Sequence, residues 1–291
     1  MSNKLFCFGV GFTGLHTCEY FFNHNWIVTG TSRDINKKVN SNIEFIEYHP
    51  NADKIYLGEA LRDSKVLLIS IAPDSNGDIV LQSNYEDIAK ALKTSIKRVV
   101  YLSTTAVYGD ANGSSVTEEY NINPQSDRAK YRVLAEKQWT DLCGKFGVPL
   151  NILRLSGIYG IGRNQIRNLI KGNSKRIIKR GHIFNRIHVA DIARIIYMLS
   201  VSDLKSDIFN VSDDMPAPPQ DVVEFASGLL EIDPPEAVKF SEANLTEMAR
   251  SFYSETKYIR NEKIKEKLNL QLKYPNYKIG LRDILKYEIR S

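Results

Sequence analysis

Leu5-Phe6-Cys7-Phe8-Gly9-Val10-Gly11-Phe12-Thr13-Gly14 opens the chain with four apolar residues running straight into a Gly-x-Gly-x-x-Gly loop. Phe12 to Asn23 then continues with the apolar spacing of an amphipathic helix. Chance supplies about 0.06 such motifs in a chain with 17 glycines among 291 residues, before a strand and a helix are required on either side. In this context each glycine has a task. The first makes a tight turn, the second lets backbone approach a pyrophosphate, and the third lets helix and strand pack closely. The helix start adds N–H donors and the positive end of its dipole. Gly9, Gly11, Phe12, Thr13 and Gly14 are therefore the expected phosphate-side residues of a dinucleotide site.

The second strand, Trp26 to Thr31, ends Gly30-Thr31-Ser32-Arg33. NAD binders carry an acidic residue here to accept from the ribose hydroxyls. A serine and an arginine suit a 2′-phosphate instead, so the sequence favours NADP over NAD, with Ser32 and Arg33 as its readers. The alternative is that Arg33 is simply an exposed residue. Ile71 and Ala72, closing the apolar run from Val66 to Ala72, belong to the same expected site.

Outward from the loop, strand-like and helical segments alternate. Strands are expected at Ile43–Tyr48, Val66–Ala72, Arg98–Ser103, Pro149–Leu155 and Asp207–Val211, and helices at Ile79–Ser95, Asp127–Phe146 and His188–Ser200. This order predicts an α/β fold with a doubly wound parallel sheet. Residues 1–160 form the expected dinucleotide-binding domain, with 187–213 rejoining it. Residues 161–186 and 214–291 form a smaller, mostly helical part for the substrate. Within it, Asn164–Gly172, Glu262–Leu268 and Ile279–Ile289 have helical spacing, and Lys175–Arg180 with His182–Ile187 suggest a basic hairpin turning at Gly181.

Composition narrows the function. Apolar residues are 43% and charged residues 25%, the values of an ordinary globular chain. No run approaches the roughly 18 apolar residues of a membrane span, and no secretory leader pattern is present. Cys7, Cys18 and Cys143 are scattered, which suits reduced thiols and a cytoplasmic setting, and no metal-ligand spacing exists. The net charge of +5 is mild, and no nucleic-acid module accompanies it. Basic residues are densest from Arg163 to Arg186, which could face an anionic ligand or be a solvated surface.

Several further motifs resemble one family. They are Ser103-Thr104-Thr105-Ala106-Val107-Tyr108-Gly109, Arg154-Leu155-Ser156-Gly157-Ile158-Tyr159-Gly160, Arg186-Ile187-His188-Val189-Ala190-Asp191 and Phe209-Asn210-Val211-Ser212-Asp213-Asp214. With the glycine loop, these resemble the extended short-chain dehydrogenase/reductases with a Rossmann fold, closest to the atypical epimerase/dehydratase-like branch. The resemblance implies an NADP-linked oxidoreductase, epimerase or dehydratase acting on an anionic metabolite such as a nucleotide-sugar. It also implies a homodimer paired through the Asp127–Phe146 helix. The family's chemistry uses a Ser/Thr, a Tyr and a Lys. Thr104, four residues before Tyr108, matches the Ser/Thr.

The Tyr-x-x-x-Lys pair does not match. Counting back from Glu136 places Arg132 at the lysine position and Arg128 at the tyrosine position. Arginine has no acceptor and stays charged, so Arg128 cannot act as the tyrosine does. The two arginines share a helix face and either form an anion site or lie exposed, with Arg132 paired to Glu136. Tyr108, Tyr159 and Asp78 are then the candidates for proton transfer, and Tyr159, Arg163 and His188 for substrate contact. Tyr253 and Lys257 form a literal Tyr-x-x-x-Lys, a pair at the frequency chance predicts, and are read as a decoy. Asp191 reads as structural. The rival reading is a dinucleotide sensor or scaffold that kept the glycine loop and lost the chemistry.

Overall fold

The computed structural model describes residues 3–35, 42–50 and 57–289. The chain divides into two compact units, 1–107 with 126–154 and 192–209, and 108–125 with 155–191 and 210–291. The segment Tyr108–Gln125 groups with the second unit although it follows the fifth strand in sequence.

The first unit is built on a seven-stranded sheet. Its strands in chain order are β1 (Lys4–Phe8), β2 (Ile27–Ser32), β3 (Glu44–Glu47), β4 (Val66–Ile69) and β5 (Arg98–Thr104), then β7 (Leu150–Leu155) and β11 (Asp207–Val211). The spatial order is β11-β7-β5-β4-β1-β2-β3. β1 pairs in parallel with β2 and β4, β2 with β3, and β4 with β5. The chain thus moves outward from β1 to β3 and returns to the other side of β1 at β4. That reversal is the place where doubly wound sheets hold ligands. Every residue of β4 and β7 is buried, as in strands covered on both faces; β4 is wholly apolar, while β7 buries Asn151 and Arg154 among its apolar residues.

Helices α1 (Phe12–Phe22), α2 (Gly58–Leu61), α3 (Ile79–Thr94), α4 (Asp127–Phe146) and α6 (Val189–Val201) follow these strands. Capping explains why α4 starts and stops where it does. Ser126 accepts from the Ala129 N–H, and Gly147 closes the helix at φ +65°. Phe6, Phe8, Leu67, Tyr101 and Trp139 belong to the core between sheet and helices.

The second unit holds α5 (Gln165–Ile170), α7 (Pro219–Leu229), α8 (Glu247–Phe252), α9 (Glu262–Leu268) and α10 (Tyr277–Glu288). Three short parallel pairs accompany them. β8 (Gly157–Tyr159) pairs with β10 (Arg186–His188), and β9 (Arg176–Ile178) with β12 (Ala237–Lys239). β6 (Ser115–Val116) pairs with β13 (Tyr258–Ile259). The basic hairpin expected around Gly181 is therefore corrected. β9 and β10 each pair with a distant segment, not with one another. Tyr159, Ile166, Val222, Tyr277 and Leu281 form this unit's own core.

Candidate functional site

In the first unit the glycine loop crosses the carboxyl ends of β1, β2 and β4. Gly9 sits at φ +89°, and a Cβ there would lie 2.6 Å from the Ile71 side chain. The segment after β4 thus closes on the loop, bringing Ile71 to Gly9, while Ala72 is exposed. Gly14 is as tight, since its Cβ would meet the Gly9 carbonyl at 2.5 Å. Gly11 differs: nothing lies within 4 Å of its Cβ position. It is the N-cap of α1, which has no side-chain cap and no acidic residue in its first turn. Thr13 is buried and Phe12 half-buried at that helix start. An open second glycine before an uncapped, uncharged helix start is what a pyrophosphate requires. Thr31, which sequence reasoning passed over, holds the loop from β2. Its Oγ1 accepts from the Gly9 N–H at 2.9 Å and its carbonyl from the Val10 N–H at 2.8 Å. Ser32 is half-buried and Arg33 exposed at the end of the same strand.

At the end of β5, Thr104 is half-buried and its Oγ1 accepts from the Ala106 N–H at 3.2 Å. Arg132 of α4 donates to the Leu102 carbonyl at 2.6 Å and the Tyr101 hydroxyl at 3.2 Å. This brings Arg132 to the same strand end as Thr104. Arg128, one turn earlier, is exposed. Glu136 is the partner of Arg154, at 2.7 Å, and accepts from the Ser103 hydroxyl at 2.5 Å. The expected alternative pairing of Arg132 with Glu136 is thereby corrected. The carboxylate is buried and already held by two other groups.

Two proton-transfer candidates lie buried, each held by a protein partner. Asp78 is 1% exposed and caps α3, accepting from the Leu81 N–H at 3.0 Å. Burial pushes its carboxyl above the ordinary range, opposed by its backbone bonds and the Arg132 charge. Tyr108 is fully buried, and its hydroxyl donates to Asn210 at 2.7 Å within the second unit. A tyrosine just past a strand end reads the same in sequence whether it is open or locked.

The second unit contains a cavity of about 470 Å³. Tyr159 and Arg163 line it, together with Lys175 and Arg186, and no carboxylate is among its lining residues. Arg186 donates to the carbonyls of Phe184 and Ala217, and its guanidinium lies 5.0 Å from the Phe184 ring centroid and 6.0 Å from that of Tyr277. Burial draws its pKa down to about 10, which leaves it a cation at neutral pH. His182 is held by Thr256 at 3.1 Å, and burial with the charges of Lys179 and Arg186 lowers it to about 4, so this ring is neutral. Asn164, Gln165 and Asn168 add amides to one wall. Asn164 is oriented by Glu288 of α10, which accepts from its side chain at 2.7 Å and from the Gly162 N–H at 2.6 Å.

His188 is not among the cavity-lining residues. It is 4% exposed, with its ring centroid 3.8 Å from that of Tyr274 at a 35° tilt and edge-on to Tyr159. Asp191 is structural, accepting from the Lys273 and Tyr274 N–H groups at 2.8 and 2.9 Å. The decoy pair splits. Tyr253 lines the cavity, while Lys257 donates to the Gly109 carbonyl and to Glu255. Among the described residues no His/Cys/Asp/Glu cluster could hold a metal ion, and no helix is long and apolar enough to cross a membrane.

Comparison with known proteins bears on these motifs directly. The model of the NAD dependent epimerase/dehydratase family matches residues 9–212. The chain belongs to the NAD-dependent epimerase/dehydratase family. Protein YeeZ of Escherichia coli K12 is 32% identical over 184 residues, 61% of this chain and 64% of YeeZ, so the match spans somewhat less than two thirds of that relative. A functionally unknown conserved protein from Silicibacter pomeroyi DSS is 41% identical in its solved structure, with a TM-score of 0.89 over 98% of this chain and 99% of its own. MoeE5, solved in complex with UDP-glucose and NAD, is 18% identical with a TM-score of 0.80 over 99% of both chains, a likeness of fold. Of the two arginines on α4, Arg132 bonds to the β5 end.

Proposed function

We propose that the chain is a dinucleotide-dependent enzyme acting on an anionic, phosphate-bearing metabolite of the nucleotide-sugar class. The observation that carries the substrate reading is the second unit's cavity, with Arg163, Lys175 and Arg186 on its walls and no carboxylate among them. Phosphate oxygens suit such a set, since guanidinium groups present paired donors to them. The aromatic rings of Phe184, Tyr253 and Tyr277 suit a flat base or a sugar face. The complex of MoeE5 with UDP-glucose supports the same class.

The dinucleotide reading rests on the open Gly11 and the uncapped start of α1. NADP is favoured over NAD by Ser32 and Arg33, with no acidic side chain at either position. A bound nicotinamide supplies a reversible hydride acceptor. On the protein side, Thr104 orients a substrate hydroxyl, and Arg132 contributes a fixed positive charge beside it. The family's helix pairing extends to a dimer through α4, on which Leu134 is exposed; light scattering on the purified protein tests that.

The sensor reading stays in view for one specific reason. Arg128 is exposed, and Tyr108 and Asp78 are each bonded to a protein partner, which favours a site that has lost the family's proton transfer. Incubation with UDP-glucose or UDP-glucuronic acid and each dinucleotide, followed at 340 nm and by NMR of the sugar, separates the two. Turnover supports the enzyme. Binding of both ligands with no turnover supports the sensor. In either case Arg186→Ala is expected to weaken nucleotide-sugar binding about tenfold or more. Unchanged affinity would sink the cavity's assignment.

A further inference from the structure

We infer that Thr31 is a positioning residue that locks the phosphate-facing glycine loop to the ribose-facing end of β2, and that dinucleotide affinity depends on its hydroxyl. The inference rests on the dinucleotide reading above. Thr31 is 1% exposed and takes two successive amides of the loop, Gly9 on its hydroxyl and Val10 on its carbonyl. Such a loop needs an external hold. Gly9-Val10-Gly11 contains two residues with the widest backbone freedom, and ordering them is costly. Strand pairing holds β1 and β2 but leaves the amides beyond Phe8 to find other partners.

The same strand sets the other half of the site. Gly30 lets β2 pass so close that a Cβ there would lie 2.3 Å from the Val10 side chain. Ser32 Oγ accepts from the Asp34 N–H and donates to the Asp34 carbonyl, a tight local turn that presents Arg33 to solvent. Gly30 admits the loop, Thr31 clamps it, and Ser32 with Arg33 follow immediately. The spacing between the pyrophosphate and ribose positions is therefore set by one tetrapeptide. A β-branched residue suits this strand position in general. Valine would meet that demand equally well, and what threonine adds is the acceptor for Gly9.

The experiment titrates wild type, Thr31→Val and Thr31→Ser calorimetrically with NADPH and NADH, alongside ligand-free thermal unfolding. For whichever dinucleotide the wild type binds, Thr31→Val is expected to raise Kd about tenfold, the effect of one lost hydrogen bond. Thr31→Ser is expected to restore affinity even where its Tm is lower than that of the wild type. If Thr31→Val does not fold, Thr31→Cys, of similar size and a weak acceptor, is expected to bind more weakly than Thr31→Ser. Equal affinity of wild type and Thr31→Val, or of Thr31→Cys and Thr31→Ser, overturns the inference. Wild-type protein that binds neither dinucleotide overturns the dinucleotide reading itself, and this inference falls with it.

Discussion

Glu136 and Arg154 stand 2.7 Å apart with side chains almost fully buried, and Ser103 completes the cluster. Removing one charge leaves the other uncompensated, so Glu136→Gln is expected to cost about 3 kcal/mol or more in urea unfolding. A loss under about 1 kcal/mol would mean the pair is better solvated than its burial implies. Asp213 shows the opposite electrostatics. Burial pushes its carboxyl up to about 8, with the Met215 N–H and the Arg186 charge pulling the other way. The folded chain holds this proton more tightly than the unfolded one. Its contribution is complete below about pH 4 and is lost as pH rises through about 8. Asp213→Asn, which does not titrate, is expected to flatten that decline in stability, and an unchanged slope contradicts the assignment. Sequence exposed Glu136 and Arg154 as separate motif members without their pairing. Contacts such as Thr31 to Gly9 or Tyr108 to Asn210 depend on the direction of a single side chain, which no local pattern encodes.

Elements were legible where their signals are local. The α4 helix runs from Asp127 to Phe146 and α9 from Glu262 to Leu268, the bounds their spacing implies. The expected hairpin around Gly181 failed for a physical reason. β9 and β10 are three residues each, and their partners Ala237–Lys239 and Gly157–Tyr159 lie far off in sequence, so periodicity carries no trace of the pairing. The approach of α10 to Tyr159 was equally hidden. A Cβ at Gly280 would lie 2.3 Å from the Tyr159 hydroxyl and 2.8 Å from its ring, and that ring is buried. Alanine normally favours a helix interior by about 1 kcal/mol over glycine. Here overpacking is expected to reverse the sign, with Gly280→Ala lowering stability by about 1–3 kcal/mol. A rise in Tm would show that the helix shifts freely.

At the scale of the whole molecule, one chain builds two units, one with an uncapped helix start behind an open glycine and one with a cavity walled by cations and aromatic rings. The doubly wound sheet was legible because strands such as β1, β4 and β5 are buried, largely apolar runs separated by helices. The cavity was legible only as a basic stretch, since its residues come from segments distant in sequence. The central claim is that the first unit binds a nicotinamide dinucleotide through the glycine loop. Gly11 isolates that claim from folding, because a methyl group there meets no protein atom within 4 Å and its φ of −82° suits any residue. The decisive measurement is calorimetric titration of wild type and Gly11→Ala with NADPH, NADP⁺, NADH and NAD⁺, with thermal unfolding of both. The account predicts that wild type binds, with the NADP forms tighter, and that Gly11→Ala loses binding at an unchanged Tm. Wild-type protein that binds none of the four, or a Gly11→Ala variant that binds as tightly as wild type, contradicts it.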